Sequence, residues 1–206
     1  VYAIDIAANN RLQVSSQPGF NAGPSISPDG NHMALTLSRD GNPELYVMNV
    51  KSGRLQRLTK TRQAAEASPS WSPDGKQIVY VSDKSGSPQL YIVSRSGTSP
   101  RSLTGRRRGE SVSPDWGPDG YIVYSGRRDG NYQIVVLDPK TGRETQLTTG
   151  GGDHEEPSWA PDGRHIVYVK TVGYRMVLYI LDTLGDPEIR LTASEGDWYS
   201  PSWSPR

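Results

Sequence analysis

The residues of this chain best suited to chemistry are carboxylates, and they recur just ahead of prolines. Reading backwards from Pro69, Pro114, Pro157 and Pro201 gives Glu66, Glu110, Asp153 with Glu155 and Glu156, and Asp197. Gathered around one opening, such groups repel one another until a cation or a basic partner arrives. A hard cation such as Ca²⁺ takes oxygen ligands of this kind, and Glu66, Glu110, Asp153 and Asp197 would be the set to hold it. No segment has the spacing of a dedicated calcium loop, so neither a metal site nor a cofactor is assigned. Three aromatics share these polar segments: Phe20, the single Phe of the chain, with Trp198 and Tyr199. An aromatic in a polar surface loop anchors a protein interface or packs beneath its own loop.

Other chemistries find little to use. Cys is absent, which excludes thiolate nucleophiles, disulfides and thiolate zinc sites. His occurs at 32, 154 and 165, and no Gly-x-Ser-x-Gly elbow is present. His32 and His165 occupy the same slot, two residues after a Pro-Asp-Gly, and read as strand starters, so no catalytic residue is assigned. With 23 Lys+Arg against 22 Asp+Glu the formal net charge is +1, which gives no general pull toward nucleic acid. The basic runs Arg106-Arg107-Arg108 and Arg127-Arg128 lack interleaved aromatics and read as solvated loops. The longest apolar run, from Met176 to Leu181, falls far short of the roughly 20 residues of a membrane helix. No bilayer insertion is expected. The chain opens on Val1 with no charged and apolar leader, and reads as a mature or excised segment.

What gathers the carboxylates is a repeat. Pro24 to Gly30 (Pro-Ser-Ile-Ser-Pro-Asp-Gly) returns with variations at Pro69 to Gly75, Pro114 to Gly120 and Pro157 to Gly163, and a truncated copy runs from Pro201 to Pro205. The second prolines of successive copies lie 45, 45, 43 and 44 residues apart. Periods of that length belong to propeller blades or helix-pair arrays. The content of each repeat decides for blades. After each Pro-Asp-Gly comes a β-rich run such as Ile78-Val79-Tyr80-Val81, then a Gly-containing turn. A second apolar run such as Leu90-Tyr91-Ile92-Val93 follows, and a shorter polar strand ends in Leu-Thr. Apolar runs without alternation belong to sheets covered on both faces. The predicted fold is all-β: four-stranded antiparallel blades, strands a to d, arranged as a propeller.

Val1 to Ile6 aligns with strand c, Arg11 to Ser15 with strand d, and the chain ends on a lone strand a. That makes nineteen strands, about four and a half blades, in one domain over residues 1 to 206. Closing five blades would lack a whole strand, and closing six would lack more than a blade. The Trp on strand a (Trp71, Trp116, Trp159 and Trp203) is expected on the innermost strands as packing between blades. Each d-to-a connection emerges at the same end of the propeller, so the carboxylates and aromatics should surround one channel mouth.

The repeated Pro-Ser-Trp-Ser-Pro-Asp-Gly, the Leu45-Tyr46-Val47-Met48-Asn49-Val50 strand and the ending Trp203-Ser204-Pro205-Arg206 together resemble the TolB propeller family. The resemblance implies a six-bladed ring, of which the rest of one blade and half of the next are missing here. It also implies a periplasmic, non-catalytic module of the Tol–Pal envelope system, whose partners are the lipoprotein Pal and other Tol proteins. Pal docks in that family on the loops before the strand-a prolines, and by position the matching residues are Phe20 and Gly23, then Ala67 and Ser68. The family often carries Glu where this chain has Ser68. With the loop residues Glu155, Glu156, Trp198 and Tyr199, these form the expected partner site. The propellers of prolyl oligopeptidase-type hydrolases carry similar repeats, so the alternative is a substrate-gating propeller.

Overall fold

A computed structural model describes residues 1–5, 9–105, 107, 109–193 and 195–204. Ile6, Arg106, Arg108 and Pro205, which the sequence assigns to a strand, a basic loop and the closing strand, lie outside the described residues. A first pair of strands, β1 (Tyr2–Asp5) and β2 (Asn10–Gln13), forms its own antiparallel sheet. Four blades follow. The first contains β3 (Asn21–Ile26), β4 (His32–Leu37), β5 (Glu44–Asn49) and β6 (Leu55–Arg57). In the second come β7 (Glu66–Trp71), β8 (Gln77–Ser82), β9 (Gln89–Ser94) and β10 (Arg101–Ser102). The third is built of β11 (Ser111–Trp116), β12 (Ile122–Arg128), β13 (Asn131–Leu137) and β14 (Glu144–Gln146), and the fourth of β15 (His154–Trp159), β16 (His165–Val172), β17 (Arg175–Asp182) and β18 (Ile189–Arg190). Each blade is a four-stranded antiparallel meander in chain order. No α-helix occurs among the described residues.

The Pro-Asp-Gly turn explains the a-to-b hairpin. Ser72 Oγ donates to Asp74 Oδ1 at 2.7 Å, the same carboxylate accepts from Lys76 N at 3.0 Å, and Gly75 N closes onto Ser72 O at 2.8 Å. Gly75 takes φ +66°, the left-handed value such a turn demands of its last residue. Ser27, Asp29 and Asn31 repeat the arrangement in the first blade.

The core lies between blades. Ala34, Leu45 and Val47 of the first blade pack with Trp71, Ile78 and Tyr80 of the second, and Val79 and Leu90 of the second pack with Ile122 and Tyr124 of the third. Val123 and Ile134 of the third then meet Ile166 and Tyr168 of the fourth. Each four-stranded blade is thus covered on both faces, as its unalternated strands require, except at the outer face of the fourth, where Leu178 and Ile180 of β17 remain half-exposed. Strands β3, β7, β11 and β15 neighbour one another in series, which makes strand a the innermost.

Among the described residues one of the expected nineteen strands is missing. Residues 200–204 join no ladder, because no strand b lies beside them, and so Trp203 sits on no strand. Side-chain contacts hold this segment instead. Trp203 Nε1 donates to Ser158 O at 3.1 Å, and Ser200 N and Oγ donate to Glu156 Oε2 at 2.5 and 3.2 Å. Among the described residues no ladder joins 200–204 to β1, so the termini do not share a sheet.

Candidate protein-binding rim and channel

The innermost strands enclose a channel of about 740 Å³. Its wall repeats one tripeptide from each copy: Gly23-Pro24-Ser25, Ser68-Pro69-Ser70, Ser113-Pro114-Asp115, Glu156-Pro157-Ser158 and Ser200-Pro201-Ser202. The residue before each proline is left-handed, with φ of +56° at Gly23, +50° at Ser68 and Ser113, +52° at Glu156 and +51° at Ser200. Four of the five are not glycine. A residue before proline ordinarily avoids helical φ/ψ altogether, and each such outlier costs about 1 to 3 kcal/mol. The strain coincides with a bulge in strand a, where the register shifts between Ala22 and Ser25, Ala67 and Ser70, Val112 and Asp115, and Glu155 and Ser158. Ser200 adopts the same conformation without a ladder, so the tripeptide and its neighbours suffice to set it.

Two carboxylates line the channel, and one of them was not among the expected site residues. Glu156 is the pre-proline residue of the fourth blade. Asp115 fills the slot that holds Ser in the other four copies. Asp115 Oδ1 accepts from Ser70 Oγ at 3.1 Å and Oδ2 from Trp159 N at 2.8 Å, while Ser70 Oγ in turn accepts from Trp116 N at 3.0 Å. One side chain therefore joins three consecutive blades. Burial pushes its carboxyl above the ordinary value, and the hydrogen bonds from Trp159 and Ser70 oppose that shift. The signal was present in the sequence as the single departure from Pro-Ser in the repeat.

The other acids do not form the expected ring. Glu66 is 1% exposed, inside the first and second blades, where it accepts from Ser82 Oγ at 2.8 Å and Thr61 Oγ1 at 3.0 Å. Glu110 accepts from Tyr132 OH at 2.6 Å. Asp153 and Asp197 each cap the opening of a strand c, accepting from Tyr132 N at 2.8 Å and Met176 N at 3.0 Å. Side chains three or four residues ahead of the proline turn back into the blades, and only the residue beside the proline meets the channel. The proposed calcium ligands Glu66, Glu110, Asp153 and Asp197 are therefore not brought together, and no group of three or more His, Cys, Asp or Glu stands at metal-binding distance among the described residues.

The remaining expected residues reach the channel only in part. Gly23 and Ser68 line it, and Ala67 lies beside Ser68 on β7, half-buried. Glu155 is half-buried on β15, its carboxyl pushed up by burial and by Asp153 and Glu156. Phe20 is 56% exposed, with its N donating to Ser38 Oγ at 2.8 Å. Trp198 is 46% and Tyr199 63% exposed, and Trp198 N donates to Met176 O at 3.1 Å, which sets them against the tip of the β16–β17 hairpin. That tip adds exposed Val172, Tyr174 and Met176, which the sequence reading passed over because they belong to a b-to-c turn.

The model of the TolB beta propeller domain matches residues 1–206. The chain belongs to the TolB β-propeller family. Its fold superposes on TolB from Acinetobacter baumannii with a TM-score of 0.86 at 32% identity, covering 100% of this chain and 51% of that one. The Tol-Pal system protein TolB of Francisella tularensis (strain WY96-3418) is 36% identical over 61 residues, 29% of this chain and 14% of that protein. The chain thus spans about half the length of the Acinetobacter TolB. A puromycin-hydrolyzing peptidase of Mycobacterium tuberculosis shares the fold alone, with a TM-score of 0.70 at 19% identity over 90% of this chain. No helix among the described residues is long and apolar enough to cross a membrane.

Proposed function

We propose that this TolB-type propeller is a non-catalytic protein-binding module of a periplasmic Tol–Pal system, forming part of a six-bladed ring, and that a Pal-like lipoprotein docks across its channel mouth. One observation carries the reading. Five strained pre-proline residues converge on one channel, and large aromatics stand exposed a few residues upstream of the first and last of them. Strain kept at a surface site is a mark of function, and exposed aromatics are the residues that dominate interface energy. The contacts are assigned to Phe20, Gly23, Ala67, Ser68, Glu155, Glu156, Trp198 and Tyr199. Calorimetry of the parent protein with the soluble domain of a Pal-like lipoprotein tests this. Phe20→Ala with Trp198→Ala should weaken binding by about 2 kcal/mol or more, and unchanged affinity would return both aromatics to a structural role. Charge reversal at Glu155 and Glu156 should act mainly on association rate and salt dependence.

A further inference from the structure

Each d-to-a loop that follows one of the first three four-stranded blades runs over a polar residue that opens or nearly opens strand c. In the second and third blades it is glutamine, wired alike both times. Thr104 Oγ1 donates to Gln89 Oε1 at 2.9 Å, and Gln89 Nε2 donates to Gly109 O at 2.9 Å. Thr148 Oγ1 donates to Gln133 Oε1 at 2.8 Å, and Gln133 Nε2 donates to Gly150 O at 3.1 Å. A neutral amide offers both the acceptor and the donor that this position needs. The first blade has Glu44 there, and the next strand a opens with Glu66.

Glu44 is fully buried and Glu66 nearly so. Thr61 Oγ1 sits between them, 3.3 Å from Glu44 Oε1 and 3.0 Å from Glu66 Oε2, and its single proton cannot serve both carboxyls at once. Arg57 Nη2 and Thr61 N donate to Glu44 Oε1 at 2.9 and 2.6 Å, while Glu44 Oε2 is buried with no donor among the described residues. Two carboxylates are acceptors only and must compete for that one Thr61 hydrogen, whereas a protonated carboxyl can donate to Thr61 Oγ1, which then donates to the other. We infer that Glu44 and Glu66 hold one proton between them, and that this proton fastens the 58–66 loop to the first blade as a pH-responsive latch.

The surrounding groups agree. Burial first, then the Glu44 carboxyl, push Glu66 up to about 7 against the pull of Ser82 and Thr61. Burial also works upward on Glu44, but hydrogen bonds from Thr59, Thr61, Glu66 and Arg57 outweigh it and hold Glu44 below its ordinary value. Arg57 is shared with Asp40, 3.5 Å away. From the second blade the pair faces Tyr80, beside Tyr91 with Lys84 above its ring, and Asp83 accepts from Ala65 N at 2.8 Å. When the proton leaves, two buried carboxylates converge on one threonine hydroxyl and repel. The loop they release borders an open groove through Thr61, Arg62, Gln63 and Ala64, and it leads into Ala67 and Ser68. The latch does not depend on what docks at the channel.

Amide hydrogen exchange at about pH 6 and about pH 8, corrected for intrinsic rates, tests it, because the loops over Gln89 and Gln133 serve as internal controls. Protection of residues 59–66 should fall about tenfold at the higher pH while the two control loops stay constant. Glu66→Gln, which carries a permanent donor, should hold the loop protected at both values. A fall shared by all three loops, or retained in Glu66→Gln, overturns the latch. Should that variant fail to fold, carboxyl ¹³C titration of the wild-type protein decides: a Glu66 midpoint near 7 supports a shared proton, and one in the ordinary carboxylate range overturns it.

Discussion

Replacing Asp115 by alanine should do more harm than any other single change in the channel wall. The substitution deletes acceptors for Ser70 Oγ at 3.1 Å and Trp159 N at 2.8 Å. Hydrogen bonds to a charged group contribute about 1.5 to 3 kcal/mol each, and an orphaned buried N–H costs about 1 to 3 kcal/mol. Against this stands the desolvation that raises the Asp115 carboxyl, which alanine relieves. The balance is a loss of about 3 kcal/mol, and for a chain of this size a fall in melting temperature of roughly 6 to 12 °C. Asp115→Ser, which restores the sequence of the other four copies, keeps a hydroxyl in the slot and should lose about half as much. Urea denaturation at neutral pH, followed by tryptophan fluorescence, measures both. An alanine variant within about 0.5 kcal/mol of wild type, at unchanged denaturant slope, would mean that Asp115 does not join the three blades.

Ser113→Gly should raise stability by about 1 kcal/mol, since glycine takes the left-handed φ of +50° without penalty, and denaturant midpoints will show it. Gly117→Val should lower stability by about 2 kcal/mol or more, because a Cβ there would fall 2.8 Å from the Trp159 indole; thermal unfolding reports the loss. His154 is buried without a hydrogen bond on either ring nitrogen among the described residues, and burial first, then Lys170, hold its pKa below 6.5. The unfolded chain therefore binds the proton more readily, so the stability His154 permits is present above about pH 6.5 and lost as pH falls toward its folded value. His154→Phe should flatten that acid limb in melts taken across it, and a limb of unchanged slope would assign the loss to other groups.

The periodicity of Pro28, Pro73, Pro118 and Pro161 carried the architecture because each Pro-Asp-Gly turn is closed by its own residues, as Ser72 and Asp74 do. Strand faces were legible for the same local reason. The direction of the loop carboxylates was not. Sequence distance from the proline placed Glu66 and Asp197 at the correct end of the blade, but a left-handed residue ahead of each proline turns the chain, and no propensity favours that conformation for serine or glutamate before proline. Alternation therefore could not tell that Glu156 meets the channel while Asp153 turns back to Tyr132. The closing segment was expected as a lone strand a, and it forms no strand for want of a neighbour, which is a tertiary fact.

The outermost strands carry a further consequence. β6 and β14 have three residues each, and β10 and β18 only two. These are the open edges of every blade, where unpaired backbone could recruit another chain. An edge this short offers too few successive hydrogen bonds to template a foreign strand, whereas the six to eight residue strands of the interior would do so readily if exposed. Shortness at the perimeter is thus a guard against aggregation, renewed with each repeat, and lengthening β10 with β-branched residues should turn a dispersed protein into a self-associating one, as light scattering would register.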